Sequence, residues 1–254
     1  GMAADFFSTL RNSNFRNLLC YDLAASASYG ITVALNIIVW TYFWEFDATT
    51  MAVVMGLPVF TAVPLAIFTM AMLGRCWAKH KILKYAIFLM LVDVVWVYLL
   101  RFFDLLPENG HPLVVGLVFL QNFLFVFLFV LRNISSYSIT ADLTDEHESS
   151  SGKRQEGGFY SALAFTTKLA SAAGPLYAGV VLDIIGLQEG IMPGEIGQSV
   201  LDNLIWALLI GVVPLMLIAW RFTFNVSMSK AQLLEIQATI KARKFSEEQG
   251  RKLE

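Results

Sequence analysis

Charge is what this sequence has least of. Of its 254 residues, 15% are Asp, Glu, Lys or Arg, against about 25% in an average soluble domain. A soluble chain of this length has too much surface to cover with so few charges, which argues against a water-exposed globule. Cysteine is scarce as well. Cys20 lies in an apolar run and Cys76 beside a basic stretch, which leaves neither a disulfide framework nor a zinc site. The three histidines, His80, His111 and His147, fall in separate polar segments. With no histidine cluster, no nucleophile beside a base and no phosphate loop, the sequence points away from an enzyme, a resident cofactor or a nucleic-acid partner. No cleavable leader is expected either: Asp5, Arg11 and Arg16 precede the first apolar stretch, and no small-residue cleavage site follows a short core.

What is abundant is apolar length. Hydrophobic residues make up 57% of the chain and aromatic ones 13%, and the mean hydropathy is +0.62. A helix needs about 20 apolar residues to cross a bilayer core. Six stretches reach that length: Leu18 to Trp44, Met51 to Leu73, Ile82 to Phe103, Pro112 to Leu131, Gly158 to Leu182 and Leu201 to Phe224. Barrel strands are a poor alternative, because they alternate in polarity over about 10 residues. The predicted fold is an all-α membrane protein. Residues 1–17 form a cytoplasmic N-terminal segment, 18–224 a six-helix transmembrane bundle, and 225–254 a cytoplasmic tail.

Lys and Arg collect on the cytoplasmic side of membrane proteins. Sixteen of the 18 basic residues fall before span one, between spans two and three, between spans four and five (Arg132, Lys153, Arg154), or after span six. The intervening loops hold Glu45, Asp47, Asp104, Glu108, Glu189, Glu195 and Asp202. Both termini are therefore expected inside, in a multi-pass protein of the plasma (inner) membrane. The tail from Ser229 to about Lys252 reads as a surface helix, with Ser229 and Gln232 as a capping box. Leu233, Ile236, Ile240 and Phe245 form its apolar stripe. It lies against the protein or lipid headgroups, or else binds a partner.

An ionisable group inside a span costs at least ~2.5–3.5 kcal/mol and needs a reason. Lys168 sits deep in span five. It is either a structural lysine satisfied by neighbouring helices or a cation facing a central cavity, holding an anionic substrate group or a coupling-site carboxylate. Asp93 in span three and Asp22 in span one are weaker candidates, and Asp22 could reach the headgroups. Thr166, Thr167 and Asn122 could line a cavity or bond across helices. Pro58, Pro64, Gly174-Pro175 and Pro214 mark kinks, and Gly174 with Pro175 is a candidate hinge. After span four, Asp142, Asp145, Arg154 and Glu156 share one loop in which ion pairs could latch the cytoplasmic side shut. A metal held by Asp142, Asp145, His147 and Glu148 is the rival reading there.

The run Ala141-Asp142-Leu143-Thr144-Asp145, with Arg154-Gln155-Glu156-Gly157 and Phe159-Tyr160-Ser161, resembles the second-half signature of a known transporter family. These are the glycoside–pentoside–hexuronide:cation symporters, melibiose-carrier relatives within the major facilitator superfamily. Lys168, Gly174-Pro175, Ala178-Gly179, Leu182-Asp183 and Gly186 continue the likeness. The resemblance implies the carboxy-terminal six helices of a twelve-helix transporter, moving a small solute such as a sugar or glycoside by alternating access, coupled to Na+ or H+. It places Lys168 beside the sugar and cation sites. The family's acidic cation ligands belong to the other half, so a missing six-helix half or a second copy is an expected partner, with the bilayer and the solute. Ala164 and Leu163 stand where the melibiose carrier has sugar-contacting polar residues. The resemblance therefore also allows a lysolipid or other amphiphile as substrate, and a truncated or non-transporting half-length subunit is a further alternative.

Overall fold

Helix-compatible apolar runs separated by short polar breaks leave the chain little choice but a bundle. The computed structural model describes residues 12–152, 155–187, 190, 192–226 and 230–251. Among the described residues are seven α-helices: α1 (Ser13–Ile38), α2 (Ala48–Cys76), α3 (Lys79–Phe102), α4 (Pro112–Ser151), α5 (Glu156–Ile185), α6 (Gln198–Thr223) and α7 (Lys230–Arg251). The first six are long and apolar enough to cross a membrane. Ser229 of the expected capping box lies outside the described residues.

Two boundaries differ most from the hydropathy reading. Helix α1 begins at Ser13, because Asn12 caps it by accepting a hydrogen bond from the Phe15 amide at 3.0 Å. Helix α4 does not stop at Leu131. It runs 40 residues to Ser151, about 60 Å at 1.5 Å per residue, so the acidic stretch expected in a loop is helical. Nothing between Leu131 and Ser151 breaks a helix. The Thr140 and Thr144 hydroxyls fold back onto the carbonyls of Ser136 and Thr140 at 3.0 and 2.9 Å. The helix ends at Gly152, whose φ of 75° is the left-handed conformation a glycine C-cap adopts.

Helix α1 packs chiefly on α5 and α6, helix α4 on α2 and α3, and α3 joins the two groups through α6. At the α1–α5 crossing Gly30 meets Gly174. A Cβ on Gly30 would lie 2.5 Å from the Ser171 carbonyl oxygen, and one on Gly174 would collide with the Gly30 backbone. The outward faces are apolar: Phe60 is 78% exposed, Ile184 76% and Leu176 74%. That suits lipid and would be unfavourable against water.

The ends of the bundle differ in charge. One, which we call the basic end, joins the starts of α1, α3 and α5 to the ends of α2, α4 and α6, and α7 lies across it on α4. The opposite, acidic end is clasped by Arg101. Its guanidinium donates to the Pro107 carbonyl at 2.8 Å and to Asn109 Oδ1 at 2.6 Å, while Asn109 donates to the Phe43 carbonyl at 2.9 Å. There α1 passes into a π turn, Val39–Phe43, which hydropathy does not reveal.

Candidate functional site

The polar groups of the interior lie along the seam between α1 and α4, two helices that touch only lightly. Nearest the acidic end, Thr32, Asn36 and Trp40 on the α1 side face Gln121, Asn122 and Phe125 on α4, with Asp93 and Tyr98 of α3 closing the back. They leave about 20 Å³ open to water centres, room for a single water. Asp93 is 4% exposed. Its Oδ1 accepts from Trp96 Nε1 at 3.0 Å, and its Oδ2 has no partner. Gln121 donates its amide to the Asp93 carbonyl at 3.0 Å, and Asn122 donates to the Val54 carbonyl at 2.7 Å. Their amide oxygens are thereby left as acceptors.

One layer further, Tyr29 stacks on Phe125 and Phe129. Below this aromatic step is a second polar cluster. Asp22 is 4% exposed, so it is an interior residue and does not reach the headgroups. The Thr167 hydroxyl lies 2.7 Å from Asp22 Oδ2 and 2.9 Å from the Leu163 carbonyl, so its one hydrogen serves one of them at a time. Ser26 approaches Asp22 Oδ1 at 3.5 Å. Arg132, counted by charge among the loop cations, is 2% exposed. Its guanidinium lies 5.3 Å from the Phe129 ring centre and 5.9 Å from that of Tyr21. It acts electrostatically on Asp22 without ion-pair contact: Nη2 donates to Asn133 at 3.3 Å, and Nε and Nη1 lack acceptors, as do the Tyr21 and Ser136 hydroxyls. Arg132 and Tyr21 were missed because an arginine at the end of a 20-residue apolar window looks like a boundary. The signal that could have found Arg132 is the serine and threonine spacing after it, which keeps helical period.

The remaining expected residues are placed as follows. Lys168 is exposed on α5, and Thr166 is half-buried. Gly174 is locked against Gly30, with Pro175 exposed beside it. At the basic end Lys79 Nζ meets Asp142 Oδ1 at 2.7 Å, joining α3 to α4. Asp145 accepts from Gln237 of α7 at 3.4 Å. Glu148, buried on α4, pairs with Arg243 of α7 at 3.7 Å. Glu156 is exposed in the first turn of α5, and Arg154 lies outside the described residues. Asp142, Asp145 and Glu148 thus have separate partners, and among the described residues no three His, Cys, Asp or Glu gather around one point.

A six-helix bundle with a polar seam inside and an apolar surface outside matches one family description over nearly its whole length. The model of the MFS/sugar transport protein family matches residues 2–227. The chain belongs to this family. It is an integral membrane protein, and its fold is half of a major-facilitator transporter. A similar protein from Escherichia coli (strain K12), named "Putative glycoside/cation symporter YagG", is 28% identical over 110 residues. That match takes in 42% of this chain and 23% of the relative, so the matched segment spans about a quarter of the relative's length. The glycoside–cation symporter resemblance carried by Asp142, Glu156 and Lys168 agrees with both findings. Within this half, the α1–α4 seam is where the buried polar side chains gather.

Proposed function

We propose that the chain is one half of a secondary active transporter that moves a small solute such as a sugar or glycoside by alternating access, in symport with Na+ or H+. The observation that carries this reading is the α1–α4 seam, which brings Asp93, Gln121, Asn122, Asp22, Thr167 and Arg132 into an otherwise apolar bundle. Buried ionisable groups at such cost are kept for a function, and transporter sites lie near the midplane between repeats. The exposed faces of α2 and α5 await a second six-helix unit, either a missing half or another copy, and Lys168 on α5 would meet solute there. Lys79–Asp142, Asp145 and Glu156 form part of a gate at the basic end, which the positive-inside bias assigns to the cytoplasm of a plasma (inner) membrane.

The test is uptake of labelled glycosides by the assembled transporter under an imposed Na+ or H+ gradient. Lys168→Ala and Lys168→Glu are expected to abolish uptake while membrane expression survives, and normal uptake by either sinks the assignment. An amphiphile is the second reading, favoured by Phe165 and Leu169, which expose 62% and 59% of their surface around Lys168. Uptake of a lysolipid in place of the glycosides would decide for it.

A further inference from the structure

Where α3 begins and α6 ends, basic and aromatic side chains gather on the outside of the bundle, away from the polar seam. Lys84 sits five residues past Lys79, the first residue of α3, about 7.5 Å along the helix. Its Nζ lies 3.4 Å from the ring centre of Phe224, the C-cap of α6. The Trp220 ring is 5.0 Å from that of Phe224 and 5.6 Å from that of Phe88, one turn beyond Lys84 on α3. Trp77, where α2 ends, lies 5.5 Å from Tyr85 and extends the row. These rings are not core: Trp77, Tyr85, Phe88 and Phe224 expose between 41% and 51% of their surface. The charge among them lacks a counter-charge. Lys79 is paired with Asp142, but among the described residues no carboxylate lies at ion-pair distance from Lys81, Lys84 or Arg221. Lys81 and Lys84 both act electrostatically on His80, so three basic side chains crowd the first turns of α3. Arg221, exposed beside Trp220, donates only to the neutral Asn225 Oδ1 at 3.2 Å.

We infer that this patch binds the headgroup of one anionic phospholipid, its phosphate held by Lys81 and Lys84 and its acyl chains lying along Tyr85, Phe88 and Phe224. Residues three and four apart are neighbours on a helix surface, so Lys81, Lys84 and Phe88 follow one another along α3. The cations stand nearer the helix end and the ring one turn deeper, which is the polarity order of a lipid from headgroup to chain. Helix α6 repeats that order, with Arg221 and Phe224 at its end and exposed Leu217 one turn in. A ring face attracts the Lys84 charge without offering an oxygen acceptor, so the three ammonium donors stay available to phosphate. Aromatic rings settle at headgroup level, and basic pockets between helices on the cytoplasmic side hold anionic headgroups. A soluble anion would use the cations and leave the exposed rings unexplained. The lipid uses both.

This inference does not depend on the symport reading, and its test involves no transport. The purified chain is reconstituted in phosphatidylcholine bilayers with a rising fraction of brominated phosphatidylglycerol, and tryptophan quenching is compared with that by brominated phosphatidylcholine. Saturable extra quenching by the anionic lipid is expected, and Trp220→Phe should remove a large share of it. Lys81→Gln and Lys84→Gln are each expected to weaken the preference for the anionic lipid about fivefold, the contribution of one lysine near an anionic surface. Lys81 is exposed, so its variant should fold even where loss of the Lys84–Phe224 contact disturbs the other. Lys241→Gln, exposed on α7 at the same end, removes an equal charge and should leave the preference unchanged. Equal weakening by Lys241→Gln overturns the site in favour of a diffuse field, as does an unaltered preference in the Lys81→Gln variant. Equal quenching by the two lipids leaves only a general aromatic belt and overturns it as well. A rise in Tm with inorganic phosphate alone, to which phosphatidylglycerol adds nothing, assigns the patch to a soluble anion and removes the lipid.

Discussion

Arg132 illustrates how much a single buried side chain can hold in place. Its charge sits among Tyr21, Phe129 and Asp22, with two nitrogens lacking acceptors. Removing it takes away the cation that acts on the Asp22 carboxylate from a distance, and a buried charge left uncompensated is destabilising. Arg132→Ala is expected to lower Tm sharply, and Asp22→Asn in the same chain should restore part of the loss. A double-mutant cycle by thermal melting measures the coupling, expected at about 1–3 kcal/mol; strict additivity would dissociate the two residues. Gly174 poses the opposite problem, since it has no room to grow. Gly174→Ala drives a methyl into the Gly30 backbone, and overpacking of this kind costs about 1–3 kcal/mol or more. Gly179→Ala meets nothing within 4 Å and should leave Tm unchanged, which makes it the control. The sequence showed Gly174-Pro175 as a break in a helical pattern. Its close partner is a glycine 144 positions earlier, and local patterning does not reach across such a separation.

At the scale of elements, helices α3, α4 and α7 meet at the basic end through two ion pairs of different character. Lys79–Asp142 is partly exposed, with side chains 34% and 14% accessible, so its worth to stability is about 1 kcal/mol or less and falls with salt. In the proposed gate, the pair would hold α3 to α4 while that end is closed. Lys79→Asp and Asp142→Lys singly are expected to lower glycoside uptake, and the reversed pair together should regain it; no recovery would remove the pair from the gate. Glu148 is 3% exposed, and Arg243 anchors α7 to it through both its carboxylate and its carbonyl. Arg243→Ala should therefore lower Tm more than Lys79→Ala does, by scanning calorimetry on the purified chain. Hydropathy placed six spans correctly and ended the fourth at Leu131, because it reads apolarity and not helicity. Asn133, Ser135, Ser136 and Thr140 are polar enough to leave the window, yet helical backbone accommodates them, and the Thr140 hydroxyl bonds to the Ser136 carbonyl within the helix. The π turn was invisible for the reverse reason: Val39, Trp40, Tyr42 and Phe43 look like any apolar run, and the extra residue in the turn leaves no mark on composition.

For the whole molecule, the charge asymmetry makes a topological prediction. Cys76 is free and exposed where α2 ends, on the basic end. In a Cys20→Ser background, a membrane-impermeant maleimide should label it in inside-out vesicles and not in intact cells. The reverse pattern would invert the orientation. The fold was legible because six apolar runs and a charge bias are whole-chain signals. The seam was legible only in part: Asp93, Asn122 and Thr167 could be named as polar residues in spans, but which of them face each other depends on helix rotation. Lys168 drew attention by its charge, while its neighbour Thr167 makes the inward contact. Helix α4 ties these levels together. From Asn122 to Ser151 it is one unbroken rod of 30 residues, about 45 Å at 1.5 Å per residue. A tilt of only about 10° at the seam would swing its far end by roughly 7–8 Å. Under the proposed transport cycle such a rod would work as a lever: a small adjustment around an ion or solute at mid-membrane would be converted, without any joint to absorb it, into a displacement at the basic end several times larger than the ion itself.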